Sequence, residues 1–274
     1  MILKRHYLPP MVTEVTLCPL GDIQWIGEPG DVAFDSLQTH IAQCLQQPHP
    51  LFVGMGDYID FASPSNREAI KAAGLYDNAR TVIAKATRDL VDDVYERILK
   101  PTAGRWLGMV QGHHHFPLDD GVDSDEYLAQ LLDSPWLAEF GLIKMRFADG
   151  YDITIGVFHG SGGSSVFPHG GLNKPFRFAP HVRLDLLLMG HTTKKAASEF
   201  SIMRFEAPEG GPDRLEHDEC KLVNTGGWTK GYLDGKETYV SKAMLSPVVL
   251  GQPMIHIRPR FREGLWEPRI TAEV

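Results

Sequence analysis

One short stretch constrains this chain more than any other: Leu51-Phe52-Val53-Gly54-Met55-Gly56-Asp57-Tyr58-Ile59-Asp60. It opens as an apolar run without alternation, the mark of a strand covered on both faces, as in a parallel sheet. It closes on carboxylates. In open α/β sheets ligands bind just beyond the carboxyl ends of the strands, which is where Asp57 and Asp60 fall. A lone Gly-Asp is most often a turn. Here other strand-like segments run into Gly21-Asp22-Ile23-Gln24, Gly112-His113-His114-His115, Phe158-His159-Gly160 and Gly190-His191-Thr192-Thr193. Strand ends that together offer Asp, His and Gln describe a divalent-metal site, because such ions need ligands from several directions on a rigid scaffold.

The rest of the chain supports an alternation of strands and helices. Residues 11–20 carry β-branched side chains in an alternating pattern and read as a strand. The following Gly21-Asp22-Ile23-Gln24 reads, by itself, as a polar turn. Leu37, Ile41 and Leu45 recur at four-residue spacing, predicting an amphipathic helix over 35–46, ended by Pro48 and Pro50. Strand, helix, strand in that order is a crossover unit. A helical region is expected over 65–100, with Gly74 a candidate break. Its Arg67, Lys71, Arg80, Lys85, Arg88 and Arg97 are interleaved with acids, so a solvated face is preferred over an anion-binding one.

Further strands are expected at 105–111, 143–147, 153–158, 184–189, 199–206 and 219–223, and a helix at 125–132. Ala148-Asp149-Gly150 is a hairpin turn. Residues 206–218 read as a loop, and 238–274 as edge strands and a tail because of their prolines. The Gly/Ser-rich 160–171 reads as a loop; His169 within it is read as an exposed loop residue.

Composition narrows the class. Of 274 residues, 27 are Lys or Arg and 35 are Asp or Glu, a formal charge of -8, which argues against a protein that mainly coats nucleic acid. No apolar run reaches the roughly 18 residues of a membrane span, and no secretory signal opens the chain, so no membrane partner is expected. Cys18, Cys44 and Cys220 form neither a disulfide framework nor a paired-cysteine zinc site. A reducing cytoplasm is the expected setting, with Cys18 and Cys44 as core residues.

The ordered motifs resemble those of the calcineurin-like metallophosphoesterase superfamily: Asp-x-His, Gly-Asp-x-x-Asp, Gly-Asn-His-Glu/Asp, a lone His and Gly-His-x-His. The match runs from about Val12 to Gly227, and Val223-Asn224-Thr225-Gly226-Gly227 is similar to the strand that follows the last motif. The resemblance implies a four-layer α/β/β/α fold: a double β-sheet sandwich flanked by helices, as one domain over 1–274 with a helical insertion at about 62–104. It implies a metal-dependent phosphoesterase in which metal-bound hydroxide attacks a phosphate ester, phosphodiester or nucleotide-type substrates being favoured, with nucleic acid or nucleotide as partner. One ion would be held by Asp57, His113, His159 and His191, the other by Asp22, Gln24 and Asp57. His114 would be the catalytic histidine and Asp60 the acid that orients it; Asp60 as a simple turn residue stands equally. The carboxylate and imidazole ligands suit manganese first, with iron or zinc as alternatives.

The departures are specific. His113 stands where the family has Asn, Gln24 and Thr193 where it has His, and His115 where it has an acid. Phe61 occupies the place of the phosphate-binding Arg of the Ser/Thr protein phosphatases. The Asp22 site is therefore expected to be the weaker one. A metallophosphoesterase fold retained as a non-catalytic binding scaffold is the rival reading.

Overall fold

The structure is a computed structural model. It describes residues 1–60, 76–118, 120–162, 168–206, 213–235, 237–242, 244, 246–262 and 265–274. The strands are β1 (Ile2–Tyr7), β2 (Val15–Leu20), β3 (Pro50–Gly54), β4 (Trp106–Met109), β5 (Phe140–Arg146), β6 (Asp152–Phe158), β7 (Leu186–Met189), β8 (Lys195–Glu206), β9 (Arg214–Thr225), β10 (Met254–Arg262) and β11 (Leu265–Glu273). The helices are α1 (Phe34–Leu45), α2 (Tyr76–Val94), α3 (Ser124–Leu131), α4 (Asn173–Phe178) and α5 (Tyr239–Lys242).

Among the described residues the strands form two mixed sheets, ordered β1-β5-β6-β7-β9-β8 and β11-β10-β2-β3-β4. Their facing sides share one core, in which Val15, Leu17, Val53, Met55 and Val110 meet Ile143, Ile155, Val157, Leu188 and Val223. The outer side of the second sheet packs on α1, α2 and α3 through Leu37, Ile41, Val91, Val94 and Leu128. The outer side of the first packs Leu187 and Leu222 against Leu172 and Ala179, with Phe176 and Phe178 of α4 alongside. The described residues thus make the four-layer α/β/β/α sandwich. β2, β3, β4 and β7 are buried at every position, which is why their sequences are continuous apolar runs.

β2, β3 and β4 are parallel, with α1 making the β2–β3 crossover. Their carboxyl ends therefore lie together. β6, β7 and β9 run parallel in the other sheet.

Several expectations need correction. The strand expected over 11–20 begins only at Val15, after Pro9, Pro10 and a turn that ties Val12 N–H to the Pro9 carbonyl. β1, alongside β5, was not foreseen. The loop expected over 206–218 shrinks, because β8 and β9 pair from Lys195–Thr225 to Glu206–Arg214. The outer part of this ribbon is wet on both sides, with Met203, Phe205 and Leu215 exposed, so no buried face imposes alternation, and the Gly/Pro/Asp-rich composition of 206–218 reads as a loop. β10 is not an edge strand where it touches β2, but that contact spans only Ile255 to Ile257. Pro259 lies beyond it, where a missing N–H leaves no ladder bond unmade.

The helix expected over 65–100 is seen as α2 and a wider π turn over Tyr95–Leu99; Gly74, Arg67 and Lys71 lie outside the described residues. Lys85 pairs with Asp89, Arg88 with Asp120 and Arg97 with Asp93, as a solvated charged face does. Cys18 and Cys44 are core residues, as expected. Among the described residues no helix is long and apolar enough to cross a membrane.

Candidate metal centre

The loops after β2 and β3 are laced together by backbone bonds. Asp22 N–H donates to the Gly56 carbonyl (2.8 Å), and Ile23 and Gln24 N–H both donate to the Asp57 carbonyl (2.9 and 3.0 Å). The loop after β4 closes in just as tightly. A Cβ on Gly112 would lie 2.1 Å from the Asp57 nitrogen, and one on Gly56 2.5 Å from Gly112. Only glycine allows this approach. Asp57 Oδ1 then accepts the backbone N–H groups of both His113 (2.5 Å) and His114 (2.9 Å).

Backbone strain gathers at the same place. Eight non-glycine residues among those described have positive φ, and four of them are Asp22 (47°), Gln24 (54°), Asp57 (56°) and His191 (65°). These are four of the residues expected to ligate metal. Such conformations cost of order 1–3 kcal/mol each and persist where the surroundings over-determine them, typically at functional sites.

The side chains converge. The ligand atoms of His113, His159 and His191 lie within 4.8 Å of one another, as do those of Asp22, Asp57 and His159. Their protons can be assigned. His159 Nδ1 lies 2.6 Å from the Met55 carbonyl oxygen, which can only accept, so the ring donates there and turns Nε2 inward. His191 Nε2 lies 2.9 Å from the Gly162 carbonyl, so its neutral ring presents Nδ1. That Nδ1 sits 3.1 Å from His113 Nδ1. Two imidazole nitrogens this close either share a proton or face one cation.

The electrostatics agree. Burial, then the neighbouring His159 and His191, lowers the His113 pKa to about 4; burial and His159 lower that of His191. Both rings are neutral at pH 7, the state that ligates. Burial alone would lower the His159 pKa, but the Asp57 carboxylate beside it, with Asp22, raises it to about 9. Burial pushes Asp57 up; His159 and His114 outweigh it and hold the carboxyl well below the usual range. Burial carries Asp22 up to about 7 despite His159 nearby.

Asp22 Oδ1 and His159 Nε2 are buried without a hydrogen-bond partner; His159 Nε2 is 3.1 Å from Asp57 Oδ2 but not aligned as a hydrogen bond. Orphaned polar atoms of this kind are rare and costly, and a cation between them satisfies both. The residues present fit a divalent ion.

Gln24 is less committed. Its Oε1 accepts the Thr229 hydroxyl (3.0 Å). Thr193 is half-buried, with its methyl facing Gly227. His114 stays out of both ligand groups. Its Nδ1 donates to Asp60 Oδ1 (2.9 Å) and its Nε2 is left 3.8 Å from Asp57 Oδ2. Burial works against its protonation, but Asp60 and Asp57 together raise its pKa. Asp60, which accepts the His114 Nδ1–H bond, donates its own N–H to the Trp25 carbonyl. Phe61 and the side chain of His169 lie outside the described residues.

Some supporting groups were not foreseen. Asp125, 1 % exposed, accepts the Gly112 N–H (2.8 Å), and burial with Asp123 beside it pushes its pKa to about 8. Gln252 holds both the N–H and the carbonyl of Gly21 and accepts the Trp228 indole N–H (2.9 Å). An Asp at the start of a helix reads as a capping residue, and Gln252 lies in a proline-rich segment without periodicity, so neither signals a site.

No protein-family model matches the sequence, and no curated protein is similar to it. Among solved structures the chain is similar to Vps29 from Entamoeba histolytica, crystallised as a zinc complex. The identity is 12%, the match covers 94% of this chain and 98% of that one, and the TM-score is 0.38. It is also similar to vacuolar protein sorting 29 from Cryptosporidium parvum at 13% identity, over 95% and 98% of the two chains, with a TM-score of 0.36. Scores this low transfer no role to any residue.

Proposed function

We propose that this chain is a metal-dependent phosphoesterase of the calcineurin-like metallophosphoesterase superfamily, with phosphodiester or nucleotide-type substrates favoured. One observation carries the reading. Two ligand groups meet at His159, with orphaned buried atoms on Asp22 and His159, while His114 is held beside them by Asp60 and kept out of both. Asp22, Asp57, His113, His159 and His191 would hold one or two divalent ions, manganese first. Such ions supply Lewis-acid polarisation of phosphoryl oxygens and activation of water.

The chain's own residues do the rest. Asp60 accepts the Nδ1–H hydrogen bond of His114 and fixes the ring, which leaves Nε2 3.8 Å from Asp57 Oδ2. Asp60 and Asp57 favour the protonated form of this ring, which can give its proton to the departing alcohol oxygen. Asp57, by accepting the His113 and His114 N–H groups, ties the ligands and the acid to one rigid frame.

The test is His114→Gln, assayed on bis(p-nitrophenyl) phosphate with Mn²⁺. Turnover should fall by roughly the 10²–10⁴-fold of a lost general acid, with Mn²⁺ binding kept within a few fold. Unchanged turnover removes His114 from the mechanism. Wild-type protein that binds Mn²⁺ tightly and hydrolyses neither mono- nor diesters supports the scaffold reading, which the diverted Gln24 oxygen and Thr193 favour.

A further inference from the structure

The histidine run after β4 has no secondary structure of its own, yet its placement is fixed at every step. The grip comes from one tripeptide, Asp123-Ser124-Asp125, at the start of α3. Gln111 Nε2–H donates to Asp123 Oδ2 (3.0 Å), Gly112 N–H to Asp125 Oδ2 (2.8 Å) and Phe116 N–H to the Ser124 hydroxyl (2.9 Å). Ser124 N–H returns a bond to the Phe116 carbonyl (2.9 Å). His115 donates from Nδ1 to the Gly112 carbonyl (2.8 Å) and brings Nε2 to 3.8 Å from Asp123 Oδ2. Ser124 and Asp125 are fully buried, so these bonds are not traded for water.

We infer that this tripeptide is a clamp that positions the metal centre, and that Asp125 is its central positioning residue. The inference rests on the phosphoesterase reading only in taking the His113–His159–His191 group for a metal site. Asp125 touches neither a ligand atom nor the open side of the site. It acts through the Gly112 N–H. With that bond made, the next N–H groups, of His113 and His114, both fall on Asp57 Oδ1. The Asp123 side chain caps α3 by accepting the Asp125 N–H (2.9 Å), so the helix start holds the clamp in place. The clamp explains how His115 can stand where an acid is expected: Asp123 Oδ2, at the start of the next helix, lies 3.8 Å from its Nε2.

The test is calorimetric titration of metal-stripped protein with Mn²⁺, alongside thermal unfolding, for wild type, Asp125→Ala, Asp125→Asn and Ser124→Ala. Asn keeps an oxygen acceptor for Gly112, so it should bind within about threefold of wild type. Ala should bind about 10–100-fold more weakly, the usual cost of losing an outer-shell partner. Ser124→Ala loosens only the Phe116 end; it should lower the melting temperature and weaken Mn²⁺ binding less than Asp125→Ala does, and an equal or greater weakening would overturn the central place of Asp125. If Asp125→Ala does not fold, Asp125→Ser replaces it, with the same expected weakening relative to Asn. Equal affinity in wild type and the Ala or Ser variant overturns the clamp and leaves the metal site standing. Wild-type protein that takes up no Mn²⁺, Zn²⁺ or Fe²⁺ overturns the metal reading itself.

Discussion

The two halves of the candidate site are built from different material and finished to different degrees. On one side three imidazoles meet with ring centroids 4.6–5.2 Å apart, and backbone carbonyls engage one nitrogen of His159 and of His191 so that the other nitrogen of each ring points inward. On the other side two buried carboxylates, Asp22 and Asp57, approach the same His159, but Gln24 gives its oxygen to Thr229 and Thr193 offers no strong ligand. The difference is one of donor chemistry. The nitrogen half gathers three imidazoles, two of them anchored on backbone carbonyls. The oxygen half rests on two buried carboxyl groups, donors that suit a harder cation than imidazole does. Asp57 and His159 bind the halves together, so the halves should differ most when residues outside that pair are changed.

The largest effect should come from the pair itself. Asp57→Ala removes the acceptor of two backbone N–H groups and the partner of buried His159. It should abolish metal uptake by both halves and lower stability by roughly 3–5 kcal/mol, the cost of breaking a buried pair. Metal analysis and urea unfolding measure the two. Loss from only one half would show that Asp57 does not join the two.

The same pair gives a pH dependence. In metal-stripped protein His159 has its pKa raised from 6.5 to about 9. Its contribution is therefore complete below pH 6.5 and is lost as pH rises through 9. Asp57 is depressed from 3.8, so its contribution is complete above that value and is lost as pH falls below it. The pair should be fully formed between these limits. Raising pH from 6 to 9.5 should cost on the order of 3 kcal/mol of stability in urea titrations. With saturating Mn²⁺ the trend should weaken or reverse, because the ion competes with the proton and binds better as pH rises. A flat profile in stripped protein would contradict the pairing.

Changes confined to one half sharpen the contrast. His113→Asn should weaken the nitrogen half by about tenfold, on the scale of a perturbed metal site, and leave the oxygen half unchanged; stepwise calorimetry reads both. Gln24→His should tighten the weaker step and leave the tighter one alone, and His tolerates the positive φ at that position better than most residues. The smallest effect is expected from Thr229→Val, which releases the Gln24 oxygen. It should shift the weaker step by about 1 kcal/mol, the worth of one hydrogen bond.

Much of this was legible in the sequence, for identifiable reasons. Strands buried on both faces announce themselves as apolar runs, and β3, β4, β6 and β7 deliver Asp57, His113, His159 and His191 where expected. Local order could not reveal bonds made by distant segments. Nothing near Asp125 marks it as the anchor of Gly112, thirteen residues away, and nothing near Gln252 marks its hold on Gly21. The β8–β9 ribbon was shortened for a related reason. A ribbon solvated on both sides has no buried face to impose alternation, so its sequence carries no strand period.

The most direct test is a titration of metal-stripped wild-type protein with Mn²⁺ by calorimetry, repeated with Zn²⁺ and Fe²⁺. The two unequal halves predict two steps: a tight one, abolished by His159→Ala and weakened by His113→Asn, and a weaker one sensitive to Gln24 and Asp22. A single step would mean that the oxygen half fills only with substrate. No uptake of any of the three ions would contradict the metal centre and with it the phosphoesterase reading.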